Sequence, residues 1–334
     1  MKKALCCLLV WSILLLGGCQ RKTEEAQSDI SIDYFDTVTT LTVYGVGESE
    51  FSEICDEIWE ELALCHRLFD IYHSYDGIRN LCTVNEHAGD GEPIPVDFRV
   101  IELLTASVDM AERTEGLFSP TLGAVLRLWH EARERSDGSL PDDAELREAA
   151  AHTDLSCLLI DETASTVMLT DPAASLDVGA AAKGYAEKRA CELLRARGVR
   201  KAILDLGGSV ACVGGSFRVG VQDPRDGEEY LKILSLADLT AVTSGDYQRF
   251  FTVDGKRYHH IIDPRTLYPA DFVSSVTVIC GDPFLGDMLS TALFCMPPRD
   301  AAAFLEKNEY KAELLIVDGS GEIFSTMREG RTVK

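Results

Sequence analysis

The chain is short of positive charge. Across 334 residues, 32 Lys and Arg stand against 55 Asp and Glu, a formal charge of −23. Nucleic acid is held by a basic face, so this balance excludes that partner class in its simplest form, although one small basic patch can still hold a single phosphate-bearing ligand. Regular cysteine spacing is also missing. Eleven cysteines are too thinly spread for a disulfide scaffold, and no Cys-x-x-Cys or other zinc-ligand spacing occurs. There is no internal repeat and no low-complexity linker. No G-x-x-x-x-G-K-[ST] stretch is present, which excludes a P-loop. No apolar run reaches the ~20 residues of a membrane-spanning helix. What remains is 46% hydrophobic and 26% charged, the composition of a globular protein long enough for a substantial core.

The first residues stand apart. Met1-Lys2-Lys3 is a short basic start, 4–16 is an apolar run broken by Ser12, and Leu16-Gly17-Gly18-Cys19 follows. The run suits a secretory signal. Small residues before a cysteine resemble a bacterial lipobox, with Cys19 lipidated as the mature N-terminus. The expected organisation is a signal peptide over 1–18, a lipidated tether over 19–30 and one domain over 31–334. Loss of Lys2 and Lys3 makes the mature chain two charges more negative. Eight cysteines then remain in apolar contexts such as Ala211-Cys212-Val213, and read as buried free thiols.

Periodicity predicts a strand over 34–44 and helices over 49–68, 97–115, 121–135, 142–152, 180–197, 284–294 and 299–307. Short strands are predicted at 158–160, 166–170, 202–206, 217–221, 231–236, 240–243, 250–253 and 273–278, with a closing hairpin over 314–317 and 322–325. Helices and strands mix without strict βαβ alternation, which points to an α+β fold.

Four blocks carry possible chemistry. In Asp177-Val178-Gly179-Ala180-Ala181-Ala182-Lys183-Gly184-Tyr185 small residues enter a helix whose free N–H groups and lysine suit a phosphate. The plain reading is a close-packed helix start with a surface lysine. Leu204-Asp205-Leu206-Gly207-Gly208-Ser209 is a strand running into a turn. Ser244-Gly245-Asp246-Tyr247 is followed by His259-His260-Ile261-Ile262-Asp263-Pro264-Arg265. Adjacent residues of an extended segment face opposite sides, so one of the two histidines can enter a given site, and the other is a core or surface residue. Asp287 and Thr291 are i and i+4 on one helix face, hard-oxygen donors suited to Mg²⁺. The plain alternative is a capping aspartate and a hydroxyl bonded back along the helix.

Together, in this order, the blocks resemble the ApbE family of FAD:protein FMN transferases, from Phe35-Asp36-Thr37-Val38-Thr39-Thr40 to about Val317. The resemblance implies a single large α+β catalytic domain of mixed, mainly antiparallel sheets with packed helices. It implies cleavage of the FAD pyrophosphate, transfer of FMN through a phosphoester bond to a threonine or serine of a partner protein, and release of AMP. It places Mg²⁺ on the Ala180 carbonyl and the side chains of Asp287 and Thr291, and FAD against Tyr72, Leu117, Phe118, Ser119, Asp177, Lys183 and Ile261. His260 matches the family's catalytically important histidine, and Asp246 and Asp263 are further candidates for the base. Implied acceptors are FMN-binding subunits of membrane redox complexes, Rnf-type or sodium-pumping quinone reductases, and extracellular flavin reductases. The implied location is the extracytoplasmic face of a bacterial membrane.

Three positions depart from the family pattern. Ser119 stands where an aspartate is usual, Leu267 where a glycine is expected, and Asp205 where an asparagine is usual. Two other outcomes use the same blocks: an FAD pyrophosphatase yielding FMN and AMP, and an FAD-binding lipoprotein without chemistry.

Overall fold

The computed structural model describes residues 25–135, 137–227 and 229–333. The expected signal peptide and Cys19 lie outside the described residues. In chain order, β1 (Ala26–Tyr34) and β2 (Thr37–Tyr44) form a hairpin, followed by α1 (Glu48–Phe69), α2 (Leu81–Glu86), β3 (Ile94–Pro95), α3 (Phe98–Arg113), α4 (Gly123–Arg135) and α5 (Asp143–Ala150). Then come β4 (Leu158–Asp161), β5 (Thr166–Leu169), α6 (Ala182–Ala196), β6 (Ala202–Leu206), β7 (Ser209–Val213), β8 (Phe217–Gln222), β9 (Tyr230–Leu236) and β10 (Thr240–Gly245). The chain closes with β11 (Phe250–Val253), β12 (Lys256–His259), β13 (Ile262–Asp263), β14 (Tyr268–Pro269), β15 (Val273–Cys280), α7 (Pro283–Phe294), α8 (Pro298–Lys307), β16 (Glu313–Asp318) and β17 (Ile323–Ser325). Among the described residues no helix is long and apolar enough to cross a membrane.

The centre is an eight-stranded sheet in the order β1-β2-β6-β7-β10-β15-β16-β17. Its pairings are all antiparallel, so the fold is α+β, as the mixed element order leads one to expect. One face packs on α1, α6 and α7. Leu41, Val43, Leu204 and Leu206 point there from alternate positions, against Ile54, Ile58 and Leu62 of α1. That period-four stripe is what buries one side of α1. The opposite face carries the β8–β9 hairpin, which buries Phe217, Val219, Leu234 and Leu236 against Cys212, Ala241, Ile279 and Leu315.

The sequence expectation lacks β1, α2, β3, β7, β12, β13 and β14, and two of these differences bear on the site. The segment expected to be the end of a tether, 26–30, belongs to β1, paired with β2 from Ala26↔Tyr44 onward. Most of β1 is exposed, Ile30 and Ile32 included, and composition alone does not separate such a solvated edge strand from a tether. The Gly207-Gly208 turn ends β6 as expected and leads into β7, a strand not expected from the sequence, with both glycines at positive φ (57° and 102°). A Cβ on Gly207 would lie 1.6 Å from Thr37 Oγ1, so only glycine lets this turn lie against the start of β2.

Candidate functional site

A cleft of about 920 Å³ opens at one end of the sheet. Its floor is the β6–β7 turn (Gly207, Gly208, Ser209) and the end of β10 (Thr243, Ser244, Gly245). One wall is helical, built from the start of α6 and from α7. The other runs from β11 and β12 to Ile262.

On the helical wall, Asp282 caps α7 through the N–H groups of Phe284 and Leu285, with Pro283 in the first turn. This start fixes the rotation of α7, and Asp287 and Thr291 one turn apart both line the cleft. Asp287 is 4% exposed. Its Oδ2 accepts the Gly184 N–H at 2.8 Å, and its Oδ1 lies 3.6 Å from Lys183 Nζ. Gly184 is required here: a Cβ would lie 2.5 Å from both Asp287 Cβ and the Pro283 carbonyl oxygen. The Gly184 N–H lies in the first turn of α6, whose N-cap is Ala181, so it has no intrahelical acceptor and Asp287 satisfies it. Ala180 precedes that N-cap and lines the cleft. Ser290 ties the floor to this wall, bonding Ser244 Oγ at 2.8 Å and the Asp287 carbonyl at 2.9 Å.

Behind this wall Glu187 is fully buried. The Ser209 hydroxyl donates to its Oε2, and its Oε1 has no partner among the described residues. Burial first, opposed by the Ser209 hydrogen bond and reinforced by the Asp287 and Asp205 carboxylates, raises its pKa from 4.5 to about 8. Glu187 therefore keeps its proton to a higher pH than an ordinary glutamate.

On the opposite wall, His260 bonds Arg249 twice: its N–H and its Nδ1 reach the Arg249 carbonyl at 3.1 and 3.2 Å. A carbonyl only accepts, so Nδ1 carries the proton and Nε2 keeps its lone pair. Burial, then the Arg249 guanidinium, His259 and Lys183, pushes the imidazole down to about 3. His259 is spent on structure. Its Nε2 donates to the Ala270 carbonyl at 2.8 Å and its Nδ1 accepts the Ile261 N–H at 3.2 Å. The expected strict alternation of faces stops here, because β12 ends at His259 and residues 260–261 lie between strands. His259, His260, Ile261 and Ile262 all line the cleft in consequence, so both histidines border it, against the expectation of one, with His259 tied to the backbone.

The structure brings Tyr72, Leu117, Phe118, Ser119, Asp177, Ala180, Lys183, His260, Ile261, Asp287 and Thr291 to one cleft. It does not bring Asp246 or Asp263 into the cleft lining. Asp246 pairs with Arg257 at 3.4 Å outside the cleft. Burial raises its pKa, against the lowering effect of Arg257 and His259. Asp263 is 2% exposed and holds a turn. Its Oδ1 accepts the Arg265 N–H and Nε at 2.9 Å each, and its Oδ2 accepts Nη2 at 2.7 Å. A carboxylate locked in a bidentate arginine fork is not a free base. The next residue of that turn that departs from the family pattern, Leu267, sits at φ 64°. The turn expected of glycine is thus kept, with the backbone in the left-handed region.

Tyr72 stands at the cleft rim, 57% exposed, with its ring 5.0 Å from that of His130. Asp70 shapes this loop by accepting the Tyr72 and His73 N–H groups at 2.7 and 3.1 Å and the Tyr75 hydroxyl at 2.7 Å. Asp177 lines the cleft with its Oδ1 on the Gly179 N–H at 2.8 Å, and burial raises its pKa. Sequence reasoning missed Trp129 and His130 of the lining and gave Ser209 and Arg249 no role. Trp129 stacks on Tyr258 (centroids 5.9 Å, 21°) and donates Nε1–H to the Leu267 carbonyl at 2.9 Å. The aromatic spacing of Phe251 and Tyr258 around Asp254-Gly255 was the available signal for this stack.

Comparison with known proteins matches this arrangement. The family model described as the ApbE family matches residues 35–316. A protein of Treponema pallidum (strain Nichols) named FAD:protein FMN transferase is 35% identical over 87% of this chain and 84% of its own. One of that name from Klebsiella pneumoniae (strain 342) is 34% identical over 74% of this chain and 80% of its own. The crystal structure of the ApbE protein from Thermotoga maritima superposes with a TM-score of 0.81, at 31% identity, over 90% of this chain and 97% of that one. The chain belongs to the ApbE family.

Proposed function

We propose that this member of the ApbE family is an FAD:protein FMN transferase that depends on Mg²⁺. It moves FMN from FAD to a threonine or serine of a partner protein and releases AMP. The observation that carries the reading is the convergence of Lys183, Asp287, Thr291 and His260 on one cleft with Tyr72 and Asp177.

The donor chemistry at the helical wall supports the metal. A buried carboxylate, a hydroxyl and a backbone carbonyl ahead of the α6 N-cap are hard oxygens, few in number, as Mg²⁺ takes them. Asp287, Thr291 and the Ala180 carbonyl would hold it. When bound, the ion supplies charge neutralisation to the pyrophosphate and to the departing phosphate. Among the described residues no cluster of three or more His, Cys, Asp or Glu forms a metal site, consistent with a set of one carboxylate and neutral oxygens.

The chain's own groups do the rest. Lys183 lies 3.6 Å from Asp287, placed to pair with a phosphate oxygen beside that carboxylate. The acceptor hydroxyl oxygen attacks the flavin-side phosphorus, the P–O bond to the bridging oxygen breaks, and that oxygen leaves with AMP. His260 Nε2 accepts the hydroxyl hydrogen. An imidazole held near 3 is neutral at physiological pH, so its lone pair is always available. Its basicity is low, so it takes the proton late, as the new P–O bond makes the hydroxyl acidic. Ser119 and Asp177 offer a hydroxyl and a carboxyl to polar edges of the nucleotide, and Leu117, Phe118 and Ile261 offer apolar surface.

The acceptors that fit are FMN-binding subunits of Rnf-type or sodium-pumping quinone reductase complexes, or extracellular flavin reductases. The lipobox at Cys19 supports attachment to the extracytoplasmic face of a bacterial membrane. The test is incubation of the purified chain with FAD, Mg²⁺ and an FMN-accepting domain. A fluorescent acceptor band that survives denaturation is expected. Free FMN and AMP without a band would make the protein a pyrophosphatase, and bound FAD with neither product a carrier.

A further inference from the structure

We propose that the FMN-accepting protein docks by laying an extended, hydroxyl-bearing segment along the free edge of β1. The sheet would gain a strand that runs into the cleft mouth. The proposal rests on the transferase reading, which requires a macromolecule to reach the cleft.

Three features of the sheet carry it. First, β1 is the outermost strand, nine residues long, and among the described residues only β2 pairs with it. In an antiparallel pair about half the backbone N–H and C=O groups of such a strand point away from the sheet. The opposite edge, β17, is three residues long.

Second, the side of this edge is bare and apolar. Ile30 lies in one cross-strand row with Thr40, Asp205, Val210, Ala241 and Ile279. The β8–β9 hairpin covers Ala241 and Ile279 in that row. Over β1 and β2 the face stays open: Ile30 is 62%, Ile32 72% and Val38 56% exposed. Long edges are normally blunted by charge; Asp29 of β1 turns to α1, where it accepts the Trp59 Nε1–H, and the face of Ile30 is left with exposed apolar side chains.

Third, the edge leads to the chemistry. The β1–β2 turn, Phe35 and Asp36, is itself part of the cleft lining. Arg249 Nη2 reaches the Phe35 carbonyl at 3.5 Å and Asp36 at 4.0 Å. The Arg249 carbonyl in turn accepts both bonds from His260. The end of β1 therefore lies two contacts from the group that receives the hydroxyl proton. A segment paired to β1 would have its backbone held by ladder bonds, an apolar side chain on Ile30 and Ile32, and its threonine or serine past Asp36.

The experiment uses the full chain in detergent and, as acceptor, the FMN-accepting domain of an Rnf-type redox subunit. The double variant Ile30→Asp/Ile32→Asp should raise KM for the acceptor by about tenfold or more, with kcat and KM for FAD unchanged. Neither residue lines the cleft. In parallel, hydrogen exchange is followed with the same acceptor carrying alanine for its acceptor residue. Amides of β1 should become protected and those of β17 should not. An unchanged acceptor KM overturns the proposal, as does protection elsewhere without protection on β1. A wild-type chain that leaves the acceptor unlabelled overturns the transferase reading and this proposal with it, and is seen before any variant is made.

Discussion

On the helical side of the cleft, Asp287 is 4% exposed and fixed by the Gly184 N–H and Lys183. On the strand side, His260 keeps partial exposure and is fixed only through the Arg249 carbonyl. The first wall is part of the main core, where α6 and α7 meet so closely that a methyl group does not fit between them. The second follows a two-stranded hairpin, β11–β12, outside the main sheet. The difference matches two tasks. A group that must oppose the charge of a pyrophosphate needs fixed dipoles and charges that do not reorganise. A group that must meet an incoming protein needs access, and it is neutral, so it loses little when solvent is displaced.

Breaking the helical wall has the largest expected effect. Asp287→Ala should lower FMN transfer by on the order of 10³-fold and remove its dependence on added Mg²⁺, read as the fluorescence of the acceptor band. Breaking the strand wall should cost less. His260→Ala should lower transfer by on the order of 10²-fold with FAD affinity unchanged by fluorescence titration. Because burial and Arg249 hold this ring near 3, it should contribute no inflection to the rate of the wild-type chain between about pH 5 and 8. Its effect on stability has a definite sign. Between about pH 3 and 6.5 the unfolded chain binds the proton and the folded chain does not. Its contribution to stability therefore rises with pH over that window and is constant above it.

Two further variants sharpen the contrast by touching structure and not chemistry. Asp263→Ala should destabilise the protein by about 2–3 kcal/mol in denaturant unfolding. That is the low side of a broken buried pair, because Arg265 is half exposed. Transfer per folded molecule should be little changed, since Asp263 faces its own turn. The smallest effect belongs to the buried acid behind the helical wall. Glu187 has a folded value of about 8 against an ordinary 4.5, so the folded chain holds a proton that the unfolded chain loses. Its contribution to stability is fully present below about pH 4.5 and fades as pH rises to about 8. Glu187→Gln should remove that slope, read as the thermal midpoint against pH.

The helical wall was legible in the sequence, because a 3.6-residue period fixes which side chains share a face. That Asp287 and Thr291 share a face at i, i+4, and that Lys183 opens α6, followed from spacing; that they serve one site came from the family resemblance. What did not follow was the direction of carboxylates in turns. Asp263 and Asp246 have the right chemistry beside His260, but each is taken by an arginine two or eleven positions away. Pairing of this kind is decided by side-chain direction at a strand end, where alternation stops. Trp129 and His130 were missed, and Arg249 was given no role, because a cleft gathers residues from segments with no local relation. β1 was missed because a solvated edge strand and a polar tether share a composition. Its assignment to the sheet places the edge that the acceptor is proposed to use.

The most direct measurement counts both products of one incubation, AMP released and FMN bound to the acceptor domain, with FAD and Mg²⁺ supplied. A transferase predicts equal amounts of the two throughout the time course, with both lost together in Asp287→Ala. AMP appearing with free FMN, and an acceptor that gains no flavin, would contradict it.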